Sequence, residues 1–462
     1  MNATAPGSFS GLLFWWRGRI IELRDMKIQN TKIIARDDAR RTVLAIAETA
    51  LAAIDTHAAI RQFVSYDGIR LGVGGDFFSL ESIDKLYVVA IGKCSVDAAS
   101  ALEEILGDRI HDGIAMDMNE GTLSRIRVVR GQHPMPTQEN VDATKAIIEL
   151  LRPLKENDFV LFVISGGGST FLCQPEELTC VDEANILSCM FESGADIRDI
   201  NVVRKHISLA RGGYLAKYAY PARAVSLIFA DVPGDDIEFV ASGPTVKDTT
   251  TVADAKTIAE KFNIAARCNI ADIGLLETPK EDKYFEKMTN ILLISNSVAL
   301  DAMKKEGEKR GFFVEVRSKM LQGEARDVAR DIVEALHKAE PGTIHLYGGE
   351  TTVTVRKPGK GGRNLEMALS ALRYIAPGEI VLPFATDGRD NTDFAGAICD
   401  MMTKEDAQKL ELDIDAFLEN NNSYDFFDRT GNYIMTGLTG SNVSDLIIAF
   451  KKYEKNTHKN KE

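Results

Sequence analysis

The chain has few cysteines and none of the spacings that make cysteine chemically informative. Its six cysteines form no C-x-x-C pair and no zinc-ligand spacing with histidine, which excludes a structural zinc site and a thioredoxin-like redox centre. The apolar stretch 11–16 is too short to span a bilayer and is followed by Arg17 and Arg19, the reverse of signal-peptide order. We therefore expect a cytoplasmic protein with reduced, mostly buried thiols.

An excess of basic residues is missing as well. Fifty-five basic and 68 acidic side chains give a formal charge of −13, which repels the phosphates of nucleic acids and of anionic membranes. A small anionic substrate remains compatible with this charge, because its site needs only a few cations. We expect a small-molecule partner and neither nucleic acid nor membrane, and the sequence leaves open whether the chain forms a homo-oligomer.

The length of 462 residues predicts two or three domains. We interpret residues 1–30 as a disordered or incorrectly assigned N-terminal extension, with Met26 as a candidate start. From Asp37 onwards, a helix rich in alanine and leucine opens a series in which apolar runs and helical segments alternate. This alternation predicts an α/β fold with a parallel sheet covered by helices on both faces.

The first series, residues 37–280, is predicted to form a Rossmann-like three-layer sandwich. Apolar runs predict strands at 86–91, 159–164 and 225–229, and helical spacing predicts helices at 96–105, 141–151, 182–190 and 252–262. Thr179 and Asp182 have the spacing of a capping box, which indicates the start of the third of these helices.

A charged stretch without apolar periodicity, residues 274–289, predicts a linker. Beyond it, strands are expected at 291–295, 312–316, 344–346, 351–355 and 380–384, and helices at 298–309, 325–337 and 365–374. The second domain, residues 290–450, is therefore a smaller α/β domain. A cleft between two such domains is the default location of an active site.

The octet VISGGGST, Val163–Thr170, directly follows the apolar run of a predicted strand. Three consecutive glycines suggest a backbone that needs positive φ or the close approach of a bound group. At the carboxyl end of a strand such a loop is a candidate phosphate cradle. A tight turn without a ligand explains the octet equally well, because short glycine-rich loops have low specificity.

Two further strand ends carry charged residues. In AIGKCS, Lys93 follows Gly92, but the spacing of a Walker A motif is absent. A lysine there can neutralise a transferring phosphoryl group, although a lone lysine is more often a surface residue. In ADVPGDD, Asp231 ends an apolar strand and is a candidate to hold magnesium or a substrate hydroxyl. Helix capping or a fixed turn would use the same residues.

The second half contributes three more motifs. KGGRNLEMA delivers Arg363 to the start of a helix, where its fork can bind a phosphoryl or carboxylate group or pair with a surface acid. ATDGRDNTD places Asp387, Asp390 and Asp393 after a strand without EF-hand spacing. TGLTGSNVSDL, residues 436–446, predicts two turns before a helix. Because G-x-S-x-G and zinc motifs are absent, these glycine-rich strand ends favour phosphoryl transfer over hydrolysis.

Six segments in order resemble the signature blocks of the glycerate 2-kinase family, whose C-terminal half is the MOFRL domain: VISGGGST, VVRKHISLARGGYLA, ADVPGDDIEFVASGPT, GGETTVTVRKPGKGGRNLEMALSAL, ATDGRDNTDFAGAICD and TGLTGSNVSDL. The resemblance runs from about residue 39 to a helix expected to end near residue 450. It implies transfer of the γ-phosphoryl group of ATP, with Mg²⁺, to the 2-hydroxyl of D-glycerate.

The resemblance also implies which residues form the active cleft. Lys93 and Arg363 are implied as catalytic residues that face the transferred phosphoryl group across the cleft. The implied phosphate-binding and substrate-binding residues are Ser165, Gly166, Gly167, Gly168, Ser169, Arg204, Asp235, Glu350 and Asn364. Asp231 and Asp387 are the implied metal ligands.

The sequence departs from the family pattern at three places. The segment 211–215 reads R-G-G-Y-L where K-G-G-R-L is usual, Leu365 replaces a glutamine, and the aspartate loop lacks its usual Gly-Pro. These departures leave a related hydroxy acid open as the acceptor.

A hydroxypyruvate reductase is a second interpretation, but its G-x-G-x-x-G dinucleotide fingerprint does not occur. A non-catalytic sensor is the third, and the presence of Lys93 and Arg363 argues against it.

Overall fold

The computed structural model describes residues 14–16, 19–21, 26–231 and 236–453. The chain forms two compact units, which we name by their sheets. The parallel-sheet unit comprises Ile54–Ser297 and Gly440–Ser444, and the mixed-sheet unit comprises Met1–Ala53, Val298–Thr439 and Asp445–Glu462. The predicted α/β class is confirmed, and each unit is assembled from segments that are far apart in the sequence.

The N-terminal elements belong to the mixed-sheet unit. They are the paired antiparallel strands β1 (Phe14–Trp16) and β2 (Arg19–Ile21) and the helices α1 (Thr31–Ile34) and α2 (Asp38–Ala53). On α2, the buried Arg40 donates hydrogen bonds to both carboxylate oxygens of Asp400 at 2.7 and 2.6 Å and to Asn432 Oδ1 at 2.8 Å. The sequence pattern assigns this helix to the first domain, but its buried ion pair is made within the mixed-sheet unit.

Residues 26–30 differ from the disordered extension that the sequence predicts. Ile28 is 2% exposed, and the Gln29 N–H donates to the Met435 carbonyl at 2.7 Å. The prediction is therefore wrong for residues 26–30, because their hydrogen bonds and buried side chain tie them to the mixed-sheet unit. Residues 1–13, 17–18 and 22–25 lie outside the described part of the chain.

The parallel-sheet unit contains a small antiparallel sheet and a larger parallel one. The small sheet, after helix α3 (Thr56–Phe63), consists of β3 (Val64–Tyr66), β4 (Arg70–Val73) and β5 (Asp76–Ser79). The large sheet consists of β6 (Leu86–Ile91), β7 (Ile110–Asp117), β8 (Arg127–Arg130), β9 (Phe159–Ile164), β10 (Arg223–Phe229) and β11 (Met288–Ile294). Its strand order is β11-β10-β9-β6-β7-β8, and all neighbours run parallel.

Helices connect these parallel strands. They are α4 (Ser95–Leu106), α5 (Gln138–Leu151), α6 (Gly168–Phe171), α7 (Cys180–Glu192), α8 (Ile197–His206), α9 (Tyr214–Ala219), α10 (Val252–Lys261) and α11 (Ile264–Arg267). The predicted bounds of β6 and β9 are confirmed, since all residues of both strands are buried and strands covered on both faces carry continuous apolar runs. The capping box of Thr179 and Asp182 at the start of α7 is also confirmed.

The predicted linker at 274–289 is tied to the parallel-sheet unit. Lys280 Nζ donates to the Asp248 carbonyl at 3.0 Å and to Thr278 Oγ1 at 2.6 Å. Strand β11, which the sequence assigns to the second domain, pairs with β10 instead. The charged residues therefore satisfy hydrogen bonds along this unit, and the second unit begins later than residue 290.

The remaining helices and strands follow β11 along the chain. The helices are α12 (Asn296–Lys309), α13 (Ala325–His337), α14 (Arg363–Ala371), α15 (Met401–Lys409), α16 (Ile414–Glu419) and α17 (Ser423–Thr430). The strands are β12 (Phe313–Leu321), β13 (Thr343–Gly349), β14 (Glu379–Ala385), β15 (Gly396–Ala397), β16 (Tyr433–Ile434) and β17 (Asp445–Lys451). The strand order is β12-β13-β17-β14-β15-β16, in which β12 and β13 pair in parallel and the other neighbours antiparallel.

Two predictions for the second half are wrong. The expected strand 351–355 is reduced to an isolated bridge between Glu324 and Thr352. The expected helix after residue 444 is strand β17, which pairs antiparallel with both β13 and β14. Its apolar run, Leu446–Phe450, is buried on both faces, and a short apolar run has no periodicity that separates a strand from a helix.

Within the described residues, no single helix has the length and apolar character needed to cross a membrane, although α2 and α3 taken together across their break meet those two criteria.

Candidate active site

The central strands β6 and β9 of the parallel-sheet unit define its topological switch point. The chain proceeds from β6 to β7 and β8 on one side, and β9, β10 and β11 lie on the other side. Their carboxyl ends are joined by the backbone, since the Lys93 N–H donates to the Gly166 carbonyl at 3.0 Å and the Ser165 N–H donates to the Ile91 carbonyl at 2.9 Å. Ligands of open α/β sheets bind at such a crevice.

The glycines of the loop after β9 are required by close packing. A side chain on Gly166 would overlap the carboxylate of Asp231, which follows β10. Gly167 has a φ of +80°, which residues with a side chain rarely adopt. A Cβ on Gly167 would also lie 3.3 Å from both Cγ and Cε of Lys93. The backbone of the loop therefore lies in close contact with both Asp231 and Lys93.

Lys93 and Asp231 are the charged residues that follow strands β6 and β10 beside the glycine loop. The Lys93 side chain is exposed, whereas Asp231 is half-buried. Burial raises the pKa of Asp231, and the positive charge of Lys93 opposes that rise. The Asp231 carbonyl accepts a hydrogen bond from Ser444 Oγ at 3.0 Å, which fixes the end of β10.

Arg204, on α8, has a different environment from its neighbour Arg211. The buried Arg211 forms an ion pair with the buried Glu183. The Nε of Arg204 is buried and has no hydrogen-bond partner among the described residues. Burial and the positive charge of Arg211 together lower the pKa of Arg204 to about 10, against the opposing effect of Glu183. A partly desolvated guanidinium without a close acid is suited to an anionic ligand.

The serines of the loop make hydrogen bonds within the unit. Ser165 Oγ donates to the Ile91 carbonyl at 3.2 Å and accepts from the Cys94 N–H at 3.4 Å. Ser169 Oγ lies 2.9 Å from Ser242 Oγ. The first hydroxyl therefore braces the turn, while the second belongs to a polar chain that can reorganise around a ligand.

In the mixed-sheet unit, Arg363 opens α14 and is surrounded by acids. Its Nε and Nη2 donate to the two carboxylate oxygens of Asp445, at 3.1 Å for Nη2, and Nη2 also donates to Glu350 Oε1 at 3.1 Å. Burial raises the pKa of Asp445 to about 6 against the opposing effect of Arg363. The fork is thus held in one orientation, with its charge balanced inside the unit.

Asp390 completes this acidic group at the start of α14. One of its oxygens accepts from the Leu365 N–H at 2.7 Å and the other from Asn364 Nδ2 at 3.4 Å. Burial and the negative charge of Asp445 raise the pKa of Asp390 to about 7, against the opposing effect of the Leu365 N–H. Asn364 Oδ1 is buried without a hydrogen-bond partner among the described residues.

The structure divides the predicted site residues between the two units. The parallel-sheet unit contains Lys93, Ser165, Gly166, Gly167, Gly168, Ser169, Arg204 and Asp231, and the mixed-sheet unit contains Glu350, Arg363, Asn364 and Asp387. Asp235 lies outside the described residues. Asp387 follows β14, and its Oδ1 accepts from the Arg389 N–H at 3.0 Å. Residues 26–231 and 236–453 contain no cluster of three or more His, Cys, Asp or Glu suited to a metal.

Sequence reasoning missed two residues near these groups, Asp445 and His133. Asp445 lies opposite Gly349 and Ala385 in the antiparallel pairing of β17, so its proximity to Arg363 depends on the strand that the sequence assigns to a helix. His133 lies in the segment between β8 and α5, outside the glycine-rich strand ends. No local motif identifies either residue.

Comparison with protein families gives two matches along the chain. Residues 42–273 match a domain of unknown function, DUF4147, and residues 343–445 match the MOFRL family. A glycerate 2-kinase from Pyrococcus horikoshii is 37% identical over 434 residues, covering 89% of this chain and 97% of the relative. A D-glycerate 2-kinase from Thermotoga maritima is 36% identical over 383 residues, covering 79% of this chain and 91% of the relative.

A solved structure resembles most of the chain. The crystal structure of a glycerate kinase from Thermotoga maritima superposes with a TM-score of 0.78 at 31% identity, covering 89% of this chain and 99% of the other. The similarity therefore includes residues of both units.

Proposed function

The chain belongs to the glycerate 2-kinase family, and from this premise we propose that it transfers the γ-phosphoryl group of ATP to the 2-hydroxyl of D-glycerate. The products are 2-phosphoglycerate and ADP. Both the acceptor and the donor are anions, so the site must supply positive charge although the whole chain carries −13.

The observation that carries the proposal is Lys93 at the switch point of the parallel sheet, together with the unpaired Arg204 on α8 of the same unit. The stem of Lys93 lies against Gly167, and Arg204 has a buried Nε without a hydrogen-bond partner in the described residues. Charges aimed at the oxygens of a moving phosphoryl group stabilise the transition state of phosphoryl transfer. We assign Lys93 to that group and Arg204 to an anionic group of the bound substrates.

Arg363 is proposed as the second catalytic cation. Its two-pronged hydrogen bonding to Asp445 and its contact with Glu350 orient a planar donor that a lysine could not reproduce. An oriented donor contributes to catalysis because it needs little reorganisation when charge develops on the phosphoryl oxygens.

Magnesium is proposed to be held through one or two carboxylates of the chain. A magnesium ion in a kinase is held mainly by nucleotide phosphates and water, so a cluster of three protein acids is not required. We propose Asp231 and Asp387 as the protein oxygens for such an ion. When bound, the ion would neutralise charge on the phosphates.

The acceptor is proposed to remain D-glycerate despite the R-G-G-Y-L departure. Arg211 forms a buried ion pair with Glu183, and the Tyr214 hydroxyl donates to the Glu277 carbonyl at 3.0 Å. Both side chains are therefore engaged in packing, and the cation available to an anion in this region is Arg204. Residues near Arg204 determine acceptor choice in this proposal.

The test is a coupled assay of purified full-length protein with ATP, Mg²⁺ and a panel of small hydroxy acids. The assay must resolve 2-phosphoglycerate from 3-phosphoglycerate, and 2-phosphoglycerate is expected. A parallel reaction with hydroxypyruvate and NADH or NADPH is expected to give no oxidation of the nicotinamide. Transfer to a different hydroxy acid, or reduction of hydroxypyruvate without any phosphorylated product, would contradict the proposal.

A further inference from the structure

His133 lines a cavity that the proposed roles above do not use. The cavity has a volume of about 430 Å³ and is formed by the segment from Gln132 to Glu139, which precedes and enters α5. This volume exceeds that of a small hydroxy acid. His133 is half-buried there, so part of its side chain remains accessible.

The His133 ring lies beside the same glycine as Lys93. A Cβ on Gly167 would lie 3.3 Å from Cδ2 of His133 and 3.3 Å from Cε of Lys93. The ring of Phe171 is 6.3 Å from the imidazole, measured between centroids. The cavity, the lysine and the glycine loop therefore meet at the His133 imidazole.

Burial and nearby positive charge keep the His133 imidazole neutral. Burial, together with the positive charges of Lys93, at the end of β6, and Arg204, on α8, lowers the pKa of His133 to about 4. In residues 26–231 and 236–453, neither ring nitrogen is engaged in a hydrogen bond with protein. At neutral pH the ring therefore presents a free lone pair among cations, which a bound alcohol can meet with its hydroxyl proton.

We propose that His133 is the general base that receives the proton of the acceptor hydroxyl, an assignment that rests on the proposed kinase function. The acceptor oxygen forms a bond to the γ-phosphorus while the bond from that phosphorus to the β–γ bridging oxygen breaks. ADP leaves with the electron pair of that bond. The hydroxyl proton moves to an imidazole nitrogen and passes to solvent after the phosphorylated product has left.

Binding of the substrates prepares His133 for this step. The acceptor carboxylate and the triphosphate bring negative charge next to Lys93 and Arg204, which offsets the two charges that disfavour protonation of the ring. The pKa of His133 then rises from about 4, which makes the ring a stronger base that is still unprotonated at neutral pH. The basicity of His133 thus depends on the presence of both substrates, which restrains proton removal in their absence.

The first experiment compares His133→Gln and His133→Ala with the wild-type enzyme. Loss of a general base costs roughly 10²–10⁴ in kcat, and we expect such a loss in both variants with a smaller change in KM for glycerate. Their kcat should rise with pH about tenfold per unit, whereas wild-type kcat stays nearly level from pH 6 to 8. Imidazole added to His133→Ala should restore part of the activity. His111→Gln, at an exposed histidine of β7 in the same unit, is the control and should behave like wild type.

The second experiment measures the wild-type protein, and a variant is needed only to assign the NMR signal of His133. The histidine Cε1 protons of the wild-type protein are titrated by NMR, alone and with a non-hydrolysable ATP analogue plus D-glycerate, and the His133 signal is identified by its loss in His133→Gln. The apparent pKa should rise by at least about one unit in the ternary complex. An unchanged pKa there, kcat within about threefold of wild type in both variants, or a change confined to KM would each overturn the assignment.

These outcomes are separate from failure of the kinase proposal. If the wild-type protein forms no 2-phosphoglycerate, the proposed function itself is contradicted. If it forms 2-phosphoglycerate and His133→Gln does so at the same rate, the kinase function stands and the role of His133 is refuted.

Discussion

Arg204 and Arg363 are both partly buried arginines at sites of glycine-rich motifs, but their charges are handled in opposite ways. Arg363 is bound by Asp445 and Glu350 within its own unit. Arg204 has no acid of its own, because the nearby Glu183 is paired with Arg211. The acids hold the Arg363 guanidinium in one orientation, whereas the unpaired charge of Arg204 can attract an anion. These two environments support the roles proposed for the arginines, catalysis for Arg363 and anion binding for Arg204.

The largest expected effects come from the two proposed catalytic cations. Lys93→Ala and Arg363→Ala should each lower kcat by at least about 10²-fold with a much smaller change in KM for ATP, since their contacts act mainly in the transition state. Arg363→Lys should not rescue the activity, because a lysine lacks the planar fork that Asp445 orients. Steady-state kinetics of the three variants checks this. Near-wild-type kcat in both alanine variants would falsify the assignment, and an effect on KM alone would reduce both residues to a binding role.

The two arginines of the parallel-sheet unit give a matched pair for stability and binding. Arg211→Met should destabilise the fold by about 3–5 kcal/mol, because Glu183 is left as an uncompensated buried charge. Arg204→Met should leave stability unchanged or improve it, and should raise KM for an anionic substrate at least about tenfold. Denaturant unfolding and kinetics on both variants test the contrast. Equal destabilisation by the two changes would show that Arg204 has a partner of its own.

The raised pKa of an acid near Arg363 predicts that the free energy of unfolding depends on pH. The pKa of Asp390 is raised to about 7, so the folded state binds a proton that the unfolded state has released between about pH 4 and 7. This contribution to stability is present at low pH and is lost as the pH rises towards 7. Between pH 5 and 8 the loss should be about 2 kcal/mol.

Asp390→Asn isolates this contribution, because an amide can still accept from the Leu365 N–H and cannot ionise. The difference in unfolding free energy between wild type and Asp390→Asn should shift in favour of the variant as the pH rises from 5 to 8. Guanidinium unfolding at several pH values measures this shift. A difference that is independent of pH would mean that Asp390 does not titrate in this range.

The smallest expected effect separates two N-terminal deletions. Removing residues 1–25 should leave folding and activity nearly unchanged. Removing residues 1–30 also deletes Ile28 and the hydrogen bonds of Gln29 and Asn30 to the carbonyls of Met435, Thr436 and Tyr433, and should cost about 3 kcal/mol. Thermal unfolding of both truncated proteins is the measurement. Equal melting temperatures would show that residues 26–30 contribute little to the mixed-sheet unit.

The amino-acid sequence predicted the central strands correctly where local pattern is sufficient. β6 and β9 are continuous apolar runs because both faces of a parallel sheet are covered, and their bounds could be read directly. β17 was misassigned as a helix since a short apolar run of the same kind fits either element. The sequence also could not predict that α2 belongs to the mixed-sheet unit, because the partner of Arg40 is Asp400, 360 positions along the chain.

The candidate site divides in the same way. The sequence alone located the glycine loop and Lys93 at strand ends and Arg363 at the start of a helix, because glycine and charge at such positions are local signals. The catalytic roles of the two cations are implied by the family resemblance and stay predictions. Only the tertiary structure shows that Glu183 pairs with Arg211 and that Asp445 forms hydrogen bonds with Arg363. It also shows that Lys93 and Arg204 lie close enough to His133 to lower its pKa. The free energy of a charge depends on its neighbours in space and on its exposure to water, and neither is written in the local sequence.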